Sequence, residues 1–210
     1  MSSHVFGNDI VDLSIRATRQ LSGNSRFYNK VFSPLEQKIL YSSDNPDIFT
    51  WIIWSFKEAA YKAIRRNRPG LVFQYKKFEL QENLNEVHYE NIHLQARYYL
   101  FPGGLHSLCF EKDLDENKIF WTHEVSDTLK HNKEFRDESL PEESFLVRLL
   151  VKHKLNEMHN WEISKINIPR IKDEKGFTSP PLIYSPYTQI PLPLSLSHHG
   201  RFLAFAVHLP

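Results

Sequence analysis

A chain of 210 residues with 41% hydrophobic content, four Trp, nine Tyr and fifteen Phe can fill the core of one large domain or two small ones. Its 26 basic residues offset 25 acidic ones to leave a formal net charge of +1, which argues against a general nucleic-acid binder. The single cysteine, Cys109, excludes an internal disulfide framework. With no stretch near the roughly 18–20 apolar residues of a membrane span, and no basic segment followed by an apolar run at the start, the expectation is a soluble cytoplasmic protein.

In chain order, Val5 to Leu13 reads as a short apolar strand interrupted by a Gly-Asn-Asp step that places Asp9 among buried residues. Ser33-Pro34-Leu35-Glu36 carries an N-cap, a first-turn proline and a third-position glutamate, predicting a helix over Pro34 to Tyr41. Asn45-Pro46-Asp47 caps a second helix from Ile48 to about Arg66, stopped by Pro69-Gly70. The period then changes to two, predicting strands near Leu71–Leu80, His88–Leu100 and His106–Glu111 in a small antiparallel sheet, and a further strand at Ile119–Glu124. The polar run 126–143 reads as a linker between a first half, 1–125, and a second half, 144–210. Phe145–Met158 predicts a helix, Ile163–Ile171 a strand and Lys172–Pro193 an ordered loop. Leu194 to His208 reads as one strand bent at Gly200.

The long helix carries the chemistry. In Trp54-Ser-Phe-Lys57-Glu58-Ala-Ala-Tyr-Lys62-Ala63, Glu58 and Lys62 stand four apart on one face with Trp54 one turn before, while Ile53, Phe56, Ala60 and Ile64 form a separate apolar line. Alone, such a pair reads as a surface ion pair on a packed helix.

Weighed together, Gly7-Asn8-Asp9, Trp54 to Ala63 and Ser195-Leu-Ser197-His198-His199-Gly200 resemble the 4′-phosphopantetheinyl transferases. That family has a Gly-x-Asp strand, a Trp-[Ser/Thr]-x-Lys-Glu-[Ala/Ser]-x-x-Lys helix and a Ser-His-[polar]-Gly strand start; the central motif matches at every defined position. Arg26-Phe27 and Val31-Phe32-Ser33-Pro34-Leu35-Glu36 are similar to the segment preceding that helix in the holo-acyl-carrier-protein synthase branch. The resemblance implies an Mg²⁺-dependent enzyme that moves the phosphopantetheine arm of coenzyme A onto a serine of an acyl or peptidyl carrier protein, releasing adenosine 3′,5′-bisphosphate. It implies Asp9 and Glu58 as metal ligands, hard oxygen donors of the type Mg²⁺ takes. Lys62 and Lys57 then neutralise phosphate charge, and Glu58 or a metal-bound water takes the serine proton. His198, with Ser197, is implied at the 3′-phosphate of coenzyme A, and Lys175 at the adenine.

Bland alternatives stand beside these roles. Asp9 can cap a turn, Lys57 can lie at the surface, and one of His198 and His199 can be merely exposed. Arg65, Arg66 and Arg68 stand where the family often has a Gly-x-Gly turn, either as a solvated helix end or facing an acidic carrier. Val11 replaces the second acid of the peptide-synthetase-activating members, pointing to a two-carboxylate metal site. His106 to Phe110 also echoes Ser195 to Ala204.

The implied fold is α+β, a pseudo-dimer of two similar halves, here in circularly permuted order because the Ser-His segment comes last. A monomer follows, with a trimeric synthase carrying a large insertion as the other architecture. No nucleic acid or membrane partner is expected. The competing functions are a coenzyme A or nucleotide-binding protein without turnover and a metal-dependent phosphohydrolase; the latter wants a denser ligand cluster.

Overall fold

The computed structural model describes residues 5–15, 24–130, 140–172, 174, 176 and 178–209. Strand β1 (Phe6–Asp12) lies at the edge of a five-stranded antiparallel sheet with β2 (Glu79–Leu80), β3 (Glu86–Tyr89), β4 (Ile92–Phe101) and β5 (Gly104–Glu111), in the order β1-β5-β4-β3-β2. A four-stranded sheet follows, in the order β6-β9-β8-β7, from β6 (Ile119–Val125), β7 (Leu182–Ile183), β8 (Leu192–His199) and β9 (Phe202–His208). Helices α1 (Ser25–Val31), α2 (Pro34–Ser42) and α3 (Pro46–Arg65) belong to the first half and α4 (Glu142–His159) to the second.

The α+β halves repeat one plan. In each, a first strand leads to a long helix and then to a hairpin whose last strand returns antiparallel beside the first: β1-α3-β4-β5 and β6-α4-β8-β9. Helix α3 covers one face of the first sheet through Phe56, Ala59, Ala60 and Ala63, packed with Val11, Leu105 and Cys109. Helix α4 covers the second sheet through Leu146, Leu150 and Leu155. The remaining sheet faces meet, with Phe6 and Leu108 against Ile119 and Ala206, and Ile10 against Phe202 and Ala204. Strand β1 is therefore buried on both faces along its whole length.

Several expectations change. The stretch 71–80 forms a 3₁₀ turn at Tyr75–Lys77 and only the two-residue β2. Ile163–Ile171 is a 3₁₀ turn followed by a single bridge, Asn167 to Tyr184, rather than a strand. Leu194–His208 is a hairpin and not one bent strand, because Gly200 takes φ +57 and reverses the chain. Strand β6 pairs with β9, so the chain passes to the second sheet before Ile119, ahead of the 126–143 stretch; residues 131–139 of that stretch lie outside the described residues. The echo of His106–Phe110 falls on β5, whose counterpart in the second half is β9 rather than β8.

Two local devices set α3 in place. Asn45 caps it by accepting from the Ile48 amide, with Pro46 in the first turn. Gly7 lets the helix lie directly on β1: a Cβ there would stand 2.3 Å from the Ala59 carbonyl oxygen and 2.6 Å from the Ala63 nitrogen. The glycine of the Gly-x-Asp motif thus serves close packing against the backbone of Ala59 and Ala63, whose side chains are small.

Lys57 points away from the Glu58 face and is fully buried. Its Nζ lies 2.7 Å from Glu36 Oε1, donates to the Tyr75 carbonyl at 3.1 Å and also to that of Phe78. Glu36 in turn closes the capping box with Ser33 and accepts from the Leu80 amide. Burial pushes the lysine pKa down, opposed by Glu36 beside it. The Ser33–Glu36 signature and Lys57 are one buried polar anchor, which corrects the assignment of Lys57 to phosphate or catalysis.

Two outcomes follow. Gly7→Ala should lower stability by about 1–3 kcal/mol, since backbone and not a yielding side chain meets the new methyl; an unchanged urea midpoint would contradict the close approach. Lys57→Met should cost about 3–5 kcal/mol by leaving Glu36 buried and uncompensated, and adding Glu36→Gln should recover part of that loss. Simple addition of the two single-variant costs would rule out the coupling.

Candidate active site

Trp51, Trp54, Glu58 and Lys62 recur at helical spacing along α3 and line a cavity of about 350 Å³. Asp9, Ile10 and Val11 of β1 form a second wall, and Leu196, Ser197, His198 and His199 of β8 a third. All three motif-bearing segments thus converge, and both halves of the chain contribute.

The centre of the cavity is a charged cluster. Lys62 Nζ donates to Asp9 Oδ1 at 2.8 Å, to the Asn8 carbonyl at 3.1 Å and to Ser197 Oγ at 3.0 Å. Ser197 Oγ donates to Asp9 Oδ1 at 2.9 Å and accepts from the Ile10 amide at 3.2 Å. A hydroxyl has one donor and two acceptor sites, so Ser197 is saturated by the protein itself and has nothing left for a ligand. Its expected cofactor-binding role is replaced by that of a link between halves.

The link extends along the strand. The outward amides of Asn8, Ile10 and Asp12 donate to Ser195 Oγ (3.0 Å), Ser197 Oγ (3.2 Å) and His199 Nδ1 (2.9 Å). Ser195, Ser197 and His199 alternate along β8 and satisfy the β1 edge with side chains where another strand would use its backbone. His199 is therefore a structural acceptor. His198 points the other way, is exposed, and borders both this cavity and a neighbouring one. Its surroundings desolvate the ring and lower its pKa, so the neutral imidazole is favoured there.

Glu58 has the most informative electrostatics. Burial raises its pKa, Asp9 raises it further and Lys62 opposes both, leaving it at about 7 instead of the ordinary 4.5. Two carboxylates share a desolvated cavity with one ammonium that is already hydrogen-bonded to Asp9. This hard-oxygen pair fits a divalent cation such as Mg²⁺, which would supply the missing positive charge. Val11 also lines the cavity, so the carboxylate that β1 brings to it is that of Asp9.

The neighbouring cavity, about 400 Å³, shares Lys62, Leu196 and His198 with the first. Arg65, Arg66, Arg148 and Arg170 line it. Arg66 Nη1 donates to the Leu194 carbonyl at 2.7 Å, and burial pulls its pKa down to about 10. Arg65 donates to the Thr178 carbonyl, and Arg148 to the Ile168 and Ser144 carbonyls. Arg65 and Arg66 are thus neither a solvated helix end nor an outward docking face, whereas Arg68 is exposed and pairs with Glu90 at 2.8 Å. Arg148 and Arg170 were missed in the sequence, where each is a single basic residue in unremarkable surroundings. Lys175 lies outside the described residues.

Because the Glu58 pKa is raised in the fold, its contribution to stability is complete below about pH 4.5 and lost as pH rises through about 7. In chelator, Glu58→Gln should therefore gain stability relative to the parent between pH 5 and pH 8, by up to about 3 kcal/mol in urea unfolding. A pH-independent difference would contradict the shift.

No curated protein sequence matches the chain at a significant level. Among solved structures, the holo-[acyl-carrier-protein] synthase of Thermotoga maritima aligns with a TM-score of 0.38 and 12% identity over 90% of this chain and 85% of that one, a likeness too distant to carry the assignment. No helix among the described residues is long and apolar enough to cross a membrane. The family model of the 4′-phosphopantetheinyl transferase superfamily matches residues 5–109, half of the sequence and the part that contributes Asp9, Glu58 and Lys62: the chain belongs to this superfamily, and membership indicates phosphopantetheinyl transferase activity.

Proposed function

We propose that the protein transfers the 4′-phosphopantetheine group of coenzyme A to a serine of an apo acyl or peptidyl carrier protein, as a holo-acyl-carrier-protein synthase does, with Mg²⁺ held by Asp9 and Glu58. The observation that carries this reading is the shared wall of the two cavities: Lys62 and His198 border both, with paired carboxylates on one side and four arginines on the other. Coenzyme A is an elongated polyanion with its reacting pyrophosphate some way from its 3′-phosphate. A carboxylate-and-lysine chamber opening into an arginine-lined one suits that separation.

The chain's own residues divide the work. Lys62, anchored on Asp9, places positive charge where it can offset that of the pyrophosphate oxygens; its three N–H groups are held by Asp9, Asn8 and Ser197, so donating directly to a phosphate means releasing one of them. Glu58, kept ionised when Mg²⁺ is bound beside it, or a water held by that ion, would accept the proton of the carrier serine as its oxygen attacks phosphorus and adenosine 3′,5′-bisphosphate departs. Bound Mg²⁺ would polarise the phosphate oxygens and stabilise developing charge. His198 offers its ring to the 3′-phosphate, with Arg148 and Arg170 close by. Ser195, Ser197 and His199 position these groups by holding β8 against β1. One chain supplies every wall, so a monomer with its halves in permuted order is the proposed active unit.

Incubating the protein with coenzyme A, Mg²⁺ and a panel of apo carrier proteins, then weighing each carrier, tests the proposal. The expected outcome is a phosphopantetheine adduct on at least one carrier, reduced at least about a hundredfold in rate by Glu58→Gln, which removes the base and a metal ligand at constant volume. Coenzyme A bound or hydrolysed with no adduct on any carrier would reject transfer. Near-normal turnover by Glu58→Gln would reject the role of that residue.

A further inference from the structure

A second cluster of ligating side chains lies on the far side of the first sheet. Glu86 and His88 alternate on β3 and so share a face, and His93 of β4 stands directly opposite His88 in the antiparallel register. Glu86 Oε1 is 3.4 Å from His88 Nε2 and 3.6 Å from His93 Nδ1, and one ligand atom from each of the three residues lies within 4.8 Å of the others. Ligands about 2.0–2.1 Å from a tetrahedral Zn²⁺ stand roughly 3.3–3.5 Å apart; one edge of this triangle, at 3.4 Å, has that spacing and a second, at 3.6 Å, is slightly longer.

The contacts leave a ring nitrogen without a partner. His88 Nε2 is closed off from solvent and has no hydrogen-bond partner among the described residues, although an anionic oxygen faces it. A cation bound by both groups would give Nε2 a partner and offset the Glu86 charge. The two imidazole rings stack, with centroids 3.9 Å apart and planes 31° from parallel, so one ring tilts for both nitrogens to meet a single ion. A single divalent ion shared by the three would satisfy His88 Nε2 and the carboxylate together.

We infer that Glu86, His88 and His93 form a site for a borderline divalent metal ion of the Zn²⁺ class, with solvent completing the coordination. Two imidazoles and one carboxylate select this class over Mg²⁺, whose oxygen-only preference matches the Asp9–Glu58 pair instead. In the sheet, β3 is separated from β1 by β5 and β4, about 14 Å at the usual strand spacing, so the two sites are distinct. The site bridges the two arms of a tight hairpin whose turn holds Glu90 at φ +54, and an ion there would clip that hairpin closed. The inference does not depend on the transferase reading.

The test is an optical titration of the tag-free, chelator-stripped full chain with Co²⁺ in excess Mg²⁺. The expected result is saturable visible absorption of a four-coordinate Co²⁺ complex at about one equivalent, reversed by Zn²⁺ and retained in Asp9→Asn. His93→Ala, at a side chain that is 54% exposed, should keep the fold by circular dichroism while weakening Co²⁺ at least about tenfold. Absence of saturable absorption, equal affinity in His93→Ala, or loss of the signal in Asp9→Asn would each overturn the assignment.

Discussion

The edge of β1 is the constraint on which the molecule depends. An edge strand buried between two layers has outward amides that water cannot reach, and each one left unpaired costs on the order of 1–3 kcal/mol. Here Ser195, Ser197 and His199 supply acceptors at every second residue of β8, matching every second amide of β1. The same ladder that satisfies the backbone brings the second half of the chain against Asp9. Joining the halves and building the cavity are a single event, and the Ser-x-Ser-His-His order encodes both: alternate residues hold the seam, and the intervening His198 is left for solvent and ligand.

Electrostatics within the cavity follow from the direction of α3. Successive helical residues point about 100° apart, and here that turn sends Lys57 and Glu58 into different surroundings even though they are adjacent. Lys57 faces inward to Glu36 and fastens α2 and the 75–80 segment, while Glu58 and Lys62 face the seam. Lys62 is committed to Asp9, which leaves Glu58 desolvated beside a second carboxylate and short of positive charge. Such an imbalance destabilises the empty fold at neutral pH and favours whatever cation and anion the site takes up, a common arrangement where function outweighs stability.

Much of this was legible from residue order alone. The Asn45-Pro46 cap, the apolar line of α3 and the Pro69 stop define the helix, and the spacing of Glu58 and Lys62 gives its working face; the match to the family motif gave the meaning of that face. Three things were not legible. The Gly200 reversal needs a positive φ that a lone glycine does not announce, so a hairpin read as one bent strand. Ser195 and His199 owe their role to the β1 edge, nearly 190 residues distant in sequence, as the separation of Asn8 from Ser195 illustrates. Arg148 and Arg170 gain significance only when α4 and the 166–170 segment fold over β8. Lys57 is different: its helical angle already separated it from Glu58, and the family motif drew it into the site against that geometry.

The central claim is that the two halves jointly make one polyanion site, with α3 gripping one end and β8 the other. Calorimetric titration of coenzyme A and of 3′-dephospho-coenzyme A into the parent protein, Lys62→Ala and His198→Ala tests it directly. Each variant should bind coenzyme A at least about tenfold more weakly, the loss of one charge-assisted contact. Lys62→Ala should lose affinity for both ligands, whereas His198→Ala should lose it for coenzyme A and largely spare the dephospho form. Unchanged coenzyme A affinity in either variant, or equal losses for both ligands in His198→Ala, would contradict the account.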